Sequence, residues 1–248
     1  MSKYLLLIIV ASIAMVSCKK EGCMDPLAVN YMEEAEKDDM SCNYAPFITL
    51  NGADVVTLSV GDVYVDAGAV ASNGDGSAVP VATDASSVNT SVAGSYTVTY
   101  SATNEFGTST ASRTVNVAIG QSNWGGNWTV SSACGTSFPL NVSPTILLGA
   151  GADEITIDGM FSISIPAIPI ILPSGLNIAS GGVATATING NVITVPNQTY
   201  DIAGIGSITY SGTGIMNSTG DQFTIDYTYN NTLPSIGGSG TCTATYTK

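Results

Sequence analysis

Histidine is absent from the 248 residues of this chain, and only 6 Lys and Arg side chains stand against 19 Asp and Glu. Without imidazole, a Ser or Cys nucleophile lacks its ordinary base, so histidine-dependent catalysis is excluded within these residues. Zinc lacks donors for the same reason, because the five cysteines include no Cys-x-x-Cys pair. Beyond Lys37 the basic residues are Arg113 and Lys248 alone, isolated from one another, which offers neither a phosphate cradle nor a basic stripe for nucleic acid. Charged residues make up 10% of the chain, while Thr, Ser, Gly, Val and Ile dominate. That is the composition of antiparallel β modules outside the cytoplasm, with little helix.

Long apolar runs are also scarce. One spans Leu5 to Met15, too short to cross a bilayer comfortably, preceded by Lys3 and ending in Val16-Ser17-Cys18. This arrangement predicts a lipoprotein signal peptide over residues 1–17, with Cys18 carrying a diacylglycerol and an N-acyl chain, followed by a polar tether over 18–22. Removal of 1–17 takes away Lys3 and no acid, so the formal charge of −13 becomes −14. Attachment to a membrane would then rest on acyl chains, each buried methylene contributing about 0.8 kcal/mol.

Apart from Cys18, four cysteines remain, and four allow three pairings. Joining Cys23 to Cys42 and Cys134 to Cys242 keeps each bridge inside one candidate module, and export makes structural disulfides the expected chemistry. The first module, residues 23–44, opens with Gly22-Cys23-Met24-Asp25-Pro26-Leu27-Ala28-Val29-Asn30-Tyr31 and closes with Asp38-Asp39-Met40-Ser41-Cys42. It resembles a cysteine-bounded motif of Bacteroidetes surface and secreted proteins, which has Gly where this chain has Met40. Asp25, Asn30, Asp38 and Asp39 are hard oxygen donors of the kind that collects calcium; the competing reading is a solvated acidic face.

Residues 46–118 switch to a period of two, with strand-like runs at Phe47–Leu50, Val55–Val60, Val79–Thr83, Ser95–Thr103 and Ala111–Ile119 between Asn-Gly and Gly-Asp turns. In Gly94-Ser95-Tyr96-Thr97-Val98-Thr99-Tyr100-Ser101-Ala102, the residues Tyr96, Val98, Tyr100 and Ala102 fall on one face. Short strands at this spacing fit an immunoglobulin-like sandwich. The segments Ile48–Gly52, Val60–Ala69 and Gly94–Ala102 resemble the bacterial surface immunoglobulin-like family, also found in certain pesticidal crystal proteins. The resemblance implies a stalk or spacer without chemistry of its own.

After a linker at 119–123, residues 124–248 form a further all-β module, read as an antiparallel barrel of about eight strands or as a sandwich. The start Trp124-Gly125-Gly126-Asn127-Trp128 resembles that of lipocalin-like barrels. The close, Cys242-Thr243-Ala244-Thr245-Tyr246, is similar to that of small β domains in Bacteroidetes lipoproteins. Asp153, Glu154, Asp158, Asp201, Asp221 and Asp226 are the carboxylates available for glycoside-type hydrolysis, but most sit beside Gly or Asn, where turn carboxylates are usual. Ile163–Ser180 carries three prolines and no charge. It is expected to be a long connection folded into the core, the alternative being an apolar lid.

Together these features predict an all-β, non-catalytic protein, lipid-anchored in the outer membrane and exposed at the cell surface. Its immunoglobulin-like spacer would present a C-terminal β domain that binds carbohydrate or another surface protein. Rival readings are a carrier enclosing an apolar molecule in a C-terminal barrel, and a carboxylate-dependent hydrolase. No cofactor is expected apart from the calcium considered above.

Overall fold

A computed structural model describes residues 19–248. Cys18 and the signal peptide expected over residues 1–17 lie outside the described residues. By their internal contacts the described residues divide into two compact units: 19–54 with Asp66–Ser86 and Val98–Arg113, and Val55–Val65 with Ser87–Thr97 and Thr114–Lys248.

In the first unit, β1 (Glu21–Gly22) pairs in parallel with β2 (Lys37–Asp38), and Cys23 is bonded to Cys42. So short a segment cannot enclose an apolar core, so covalent closure and side-chain hydrogen bonds hold it. The Asn30 carboxamide donates to the Ser41 carbonyl at 2.7 Å and accepts the Asn43 N–H at 2.8 Å. Met40 has a φ of 61° and is 90% exposed. The turn before Ser41 therefore uses the left-handed conformation that favours Gly, at a cost of about 1 kcal/mol for a side chain bearing a Cβ.

The sandwich strands are β3 (Phe47–Leu50), β4 (Val55–Ser59), β5 (Ala69–Ser72), β6 (Ala78–Val79), β7 (Val81–Asp84), β8 (Gly94–Asn104) and β9 (Gly107–Ala118). One sheet runs β3-β5-β6 and the other β4-β9-β8-β7. The alternation read from sequence holds in β8, where Val98, Tyr100 and Ala102 are buried and Ser95, Thr97 and Thr99 exposed. Arg113, isolated in sequence, is 1% exposed and far from idle. Its guanidinium pairs with Asp66 and donates to the Asn51 and Ala53 carbonyls and the Tyr100 hydroxyl. A buried charge is tolerable only with such complete pairing, so the knot fixes the loops before β4 and β5 against β8 and β9.

In the second unit, β4 pairs in parallel with the end of β9, from Val55 opposite Thr114 to Ser59 opposite Ala118. The stretch read as a linker holds a short helix, α1 (Gln121–Trp124). Asn123 shapes it, accepting the Gly120 N–H at 2.9 Å and donating to the Val60 carbonyl at 2.9 Å.

Nine strands follow: β10 (Gly126–Asn127), β11 (Thr129–Ser132), β12 (Thr145–Leu148), β13 (Glu154–Ile165), β14 (Leu176–Asn189), β15 (Val192–Ile202), β16 (Gly206–Met216), β17 (Gln222–Asn231) and β18 (Gly238–Thr247). Their order is β10-β12-β13-β14-β15-β16-β17-β18-β11. Only Trp128 separates β10 from β11, so the two edges of the sheet are successive pieces of one segment and the sheet nearly closes as a barrel. Between the barrel and sandwich readings, this settles on the barrel. Cys134 and Cys242 are bonded. They continue the register of β11 with β18, in which Val130 lies opposite Tyr246 and Ser132 opposite Ala244.

Aromatic rings fill the inward positions. Phe223 contacts Trp124, Trp128 and Tyr246, the last stacked at 4.4 Å. Phe138 lies against Phe161, Tyr210, Tyr227 and Tyr229. A carrier would need these positions open, whereas the rings pack on one another.

One seam lacks a regular ladder. β14 pairs with β15 only from Thr187 to Asn189, because Pro196 lacks an N–H and the strand bulges between Val195 and Gln198. The Gln198 carboxamide takes over, accepting the Thr185 N–H at 3.0 Å and donating to the Thr185 carbonyl at 2.7 Å.

The apolar stretch departs from the expected core connection. β13 continues to Ile165 and β14 begins at Leu176, so both flanks are paired strand, with Ile163 and Ile165 buried. The three prolines instead fall in the turn that joins them, where Ile170 is 99% and Ile171 66% exposed. Prolines end the ladder, and the turn they leave extends away from the core.

Candidate ligand-binding cleft

In the first unit a cleft of about 490 Å³ lies where three turns converge, within the size range of small-molecule sites. Asn104, the last residue of β8, assembles it. Its Oδ1 accepts the N–H groups of Phe106 at 2.9 Å and Gly107 at 3.0 Å, which sets the β8–β9 turn. Its Nδ2 donates to the Tyr44 carbonyl and to Asn73 Oδ1, both at 2.8 Å. One carboxamide thus pins the exit of the disulfide module, the turn after β5 and the β8–β9 turn to one another.

The turn after β5 is rigid in its own right. Asn73 accepts the Gly76 N–H and donates its own N–H to the Ser77 carbonyl, each at 2.9 Å. Asp75 accepts the Ser77 hydroxyl at 2.7 Å and its N–H at 2.9 Å. Those two bonds hold the Asp75 carboxyl below its usual range, so it is an anion with a fixed direction. Tyr44 is fixed by donating its hydroxyl to Asp25 at 2.8 Å, which raises the phenol pKa, and its ring leans on Phe47. Glu105 and Phe106 line the other side, Phe106 being 38% exposed.

The residues that line the cleft therefore include two aromatics, Tyr44 and Phe106, two acids, Asp75 and Glu105, and Asn43. Rings cover the C–H faces of a polyol, while carboxylates and amides accept from or donate to its hydroxyls. No imidazole or thiol accompanies them, since Cys42 is bonded.

The residues weighed for calcium accept hydrogen bonds within or beside the disulfide module. Asp25 accepts the Leu27 N–H at 2.9 Å and the Tyr44 hydroxyl, and these bonds lower its pKa. Asp38 accepts the Met40 N–H at 2.9 Å, Asp39 the Ser41 N–H at 3.0 Å, and Asn30 has the two partners described above. Among the described residues no group of three or more His, Cys, Asp or Glu side chains is arranged to hold a metal. The C-terminal carboxylates serve turns and strand faces as well: Asp221 accepts from Thr219 and Asn217, and Asp226 from Thr243. Sequence reasoning placed recognition in the C-terminal module and did not single out the turn Asn73-Gly74-Asp75-Gly76 as part of a site. The missed signal is a second turn of like chemistry, Asn104-Glu105-Phe106-Gly107, whose proximity to the first depends on strand pairing.

A sandwich with a disulfide-closed leader and a following β-barrel defines a modular all-β protein. The model of the family "Bacterial surface protein, Ig-like domain" matches residues 48–117, the part of the chain that contributes two of the three cleft segments. No curated protein matches the sequence. Among solved structures, the chain is similar to the lipoprotein BT2262 from Bacteroides thetaiotaomicron, with 15% identity, 82% of this chain and 100% of that chain covered, and a TM-score of 0.26. It is also similar to the CBM51-2 and INT domains of Clostridium perfringens ZmpB, with 13% identity, 80% and 43% of the two chains covered, and a TM-score of 0.22.

Proposed function

We propose that this chain is a lipid-anchored, outer-membrane protein of the cell surface that binds carbohydrate without turning it over, and that the cleft of the first unit is its binding site. The observation that supports this reading is the chemistry of the cleft: Tyr44 and Phe106 line it with Asp75, Glu105 and Asn43, on turns locked together by Asn104. A locked cleft loses little side-chain and loop freedom when a ligand enters, which favours binding by small contacts. Anchoring follows from the sequence at Cys18. No helix of the described residues is long and apolar enough to cross a membrane.

The test is a glycan array probed with the full chain, with product analysis of every bound sugar. Binding of a defined glycan set, lost in Phe106→Ala and weakened in Asp75→Asn, with the glycans recovered intact, is the expected result. Binding indifferent to both substitutions would move the site elsewhere, and cleavage of the glycan would make the protein an enzyme.

A further inference from the structure

The cleft of the first unit is electrostatically unbalanced. Asp75 and Glu105 both line it, and no Lys or Arg does. The basic side chains of this unit are engaged elsewhere: Lys20 pairs with Glu34, Lys37 with Glu21 and Arg113 with Asp66. Asp75 takes the Ser77 N–H and hydroxyl on one oxygen, Oδ1, so its Oδ2 has no partner among the described residues. The Glu105 carboxylate has no hydrogen-bond or ion-pair partner among them either. Two like charges at one cleft repel each other, and a cation that enters relieves the repulsion.

Two kinds of cation compete for such a place, and the lining separates them. Calcium takes about six to eight oxygen ligands. The Asn73 Oδ1 already accepts from Asn104, and the Asn104 Oδ1 accepts the Phe106 and Gly107 N–H groups. Two carboxylates and Asn43 remain, beside two aromatic residues that a hard metal ion does not use. An organic ammonium uses both kinds of group, since its N–H bonds donate to carboxylates and aromatic rings attract its charge.

Building on the carbohydrate reading, we propose that the ligand of this cleft is an amino sugar, whose protonated amine is recognised by Asp75 and Glu105 beside the rings of Tyr44 and Phe106. The same two charges select against uronic and sulfated sugars.

The test compares short linear oligomers of glucosamine and of glucose with the same linkage, which differ in carrying an amine or a hydroxyl, by titration calorimetry with the full chain. At about pH 6 the amines are charged and the carboxylates ionised, and the glucosamine oligomer should bind about tenfold more tightly. That ratio should fall to about one at about pH 9, where the amines are neutral, and likewise at about pH 6 in Asp75→Asn with Glu105→Gln. It should be unchanged in Glu33→Gln with Glu36→Gln, which removes two acids of the same unit that do not line the cleft. A ratio lowered equally by both pairs of substitutions would trace the preference to net negative charge and overturn the proposal. Binding of both oligomers that depends on Phe106 but shows a ratio of one would also overturn it while leaving the carbohydrate reading in place. Absence of Phe106-dependent binding of either oligomer would remove both.

Discussion

Removing the Cys134–Cys242 bridge, as Cys134→Ala with Cys242→Ala, should produce the largest loss of stability of any change outside the aromatic core. The bond closes a loop of 108 residues, for which the chain-entropy relation gives about 4.7 kcal/mol at 25 °C. Strain should offset little of this, because the two residues continue a register that four pairs of β11 and β18 already set. The segment between Trp128 and Cys134 is also where the barrel closes, so releasing it frees an edge as well as a loop. With a urea dependence of about 2 kcal/mol per M, the transition of the second unit should move down by about 2 M, and its slope should rise because the uncrosslinked chain exposes more surface. Barrel unfolding followed by near-UV circular dichroism of Trp124 and Trp128 is the assay. An unchanged midpoint would refute both the bond and the entropic argument.

The Gln198→Ala variant should lose about 1–2 kcal/mol, since two hydrogen bonds at the β14–β15 seam have no backbone substitute, and hydrogen exchange at the Thr185 amide should accelerate. Alkaline pH should unfold the second unit through its buried tyrosines: burial pushes Tyr210 up to about 12 and raises Tyr227 and Tyr246 as well, the last two joined by a 2.8 Å hydroxyl contact. These groups keep protons that the unfolded chain gives up near pH 10. Stability is therefore full below that pH and falls above it, by up to about 4 kcal/mol per pH unit for three groups, as urea midpoints between about pH 8 and 11 would show. Cys18→Ala should abolish acylation, read by mass, and move most of the chain out of the membrane fraction; an unacylated variant that stays fully bound would contradict the anchor.

The fold was legible wherever a period of two runs unbroken. Tyr96 to Ala102 and Phe223 to Tyr227 declare their buried faces because each outward neighbour is polar. The barrel was less so, since its closure depends on Trp128 splitting one segment between two partners and β10 is only two residues long. Ile163–Ser180 misled because apolar composition says nothing about where a chain reverses; the prolines gave the position of the turn, and the exposure of Ile170 comes from the strands beneath it. Arg113 read as isolated because its partners, Asn51, Ala53, Asp66 and Tyr100, lie between 13 and 62 positions away. The cleft was hidden for the same reason: Tyr44, Asn73 and Asn104 meet only once the sheets have formed.

Saturation-transfer NMR on the full chain with a glycan selected from the array tests the binding site most directly. The account predicts transfer to the C–H face of one sugar ring, abolished by Phe106→Ala and unchanged by Asp221→Asn in the second unit; transfer that survives Phe106→Ala undiminished would contradict it.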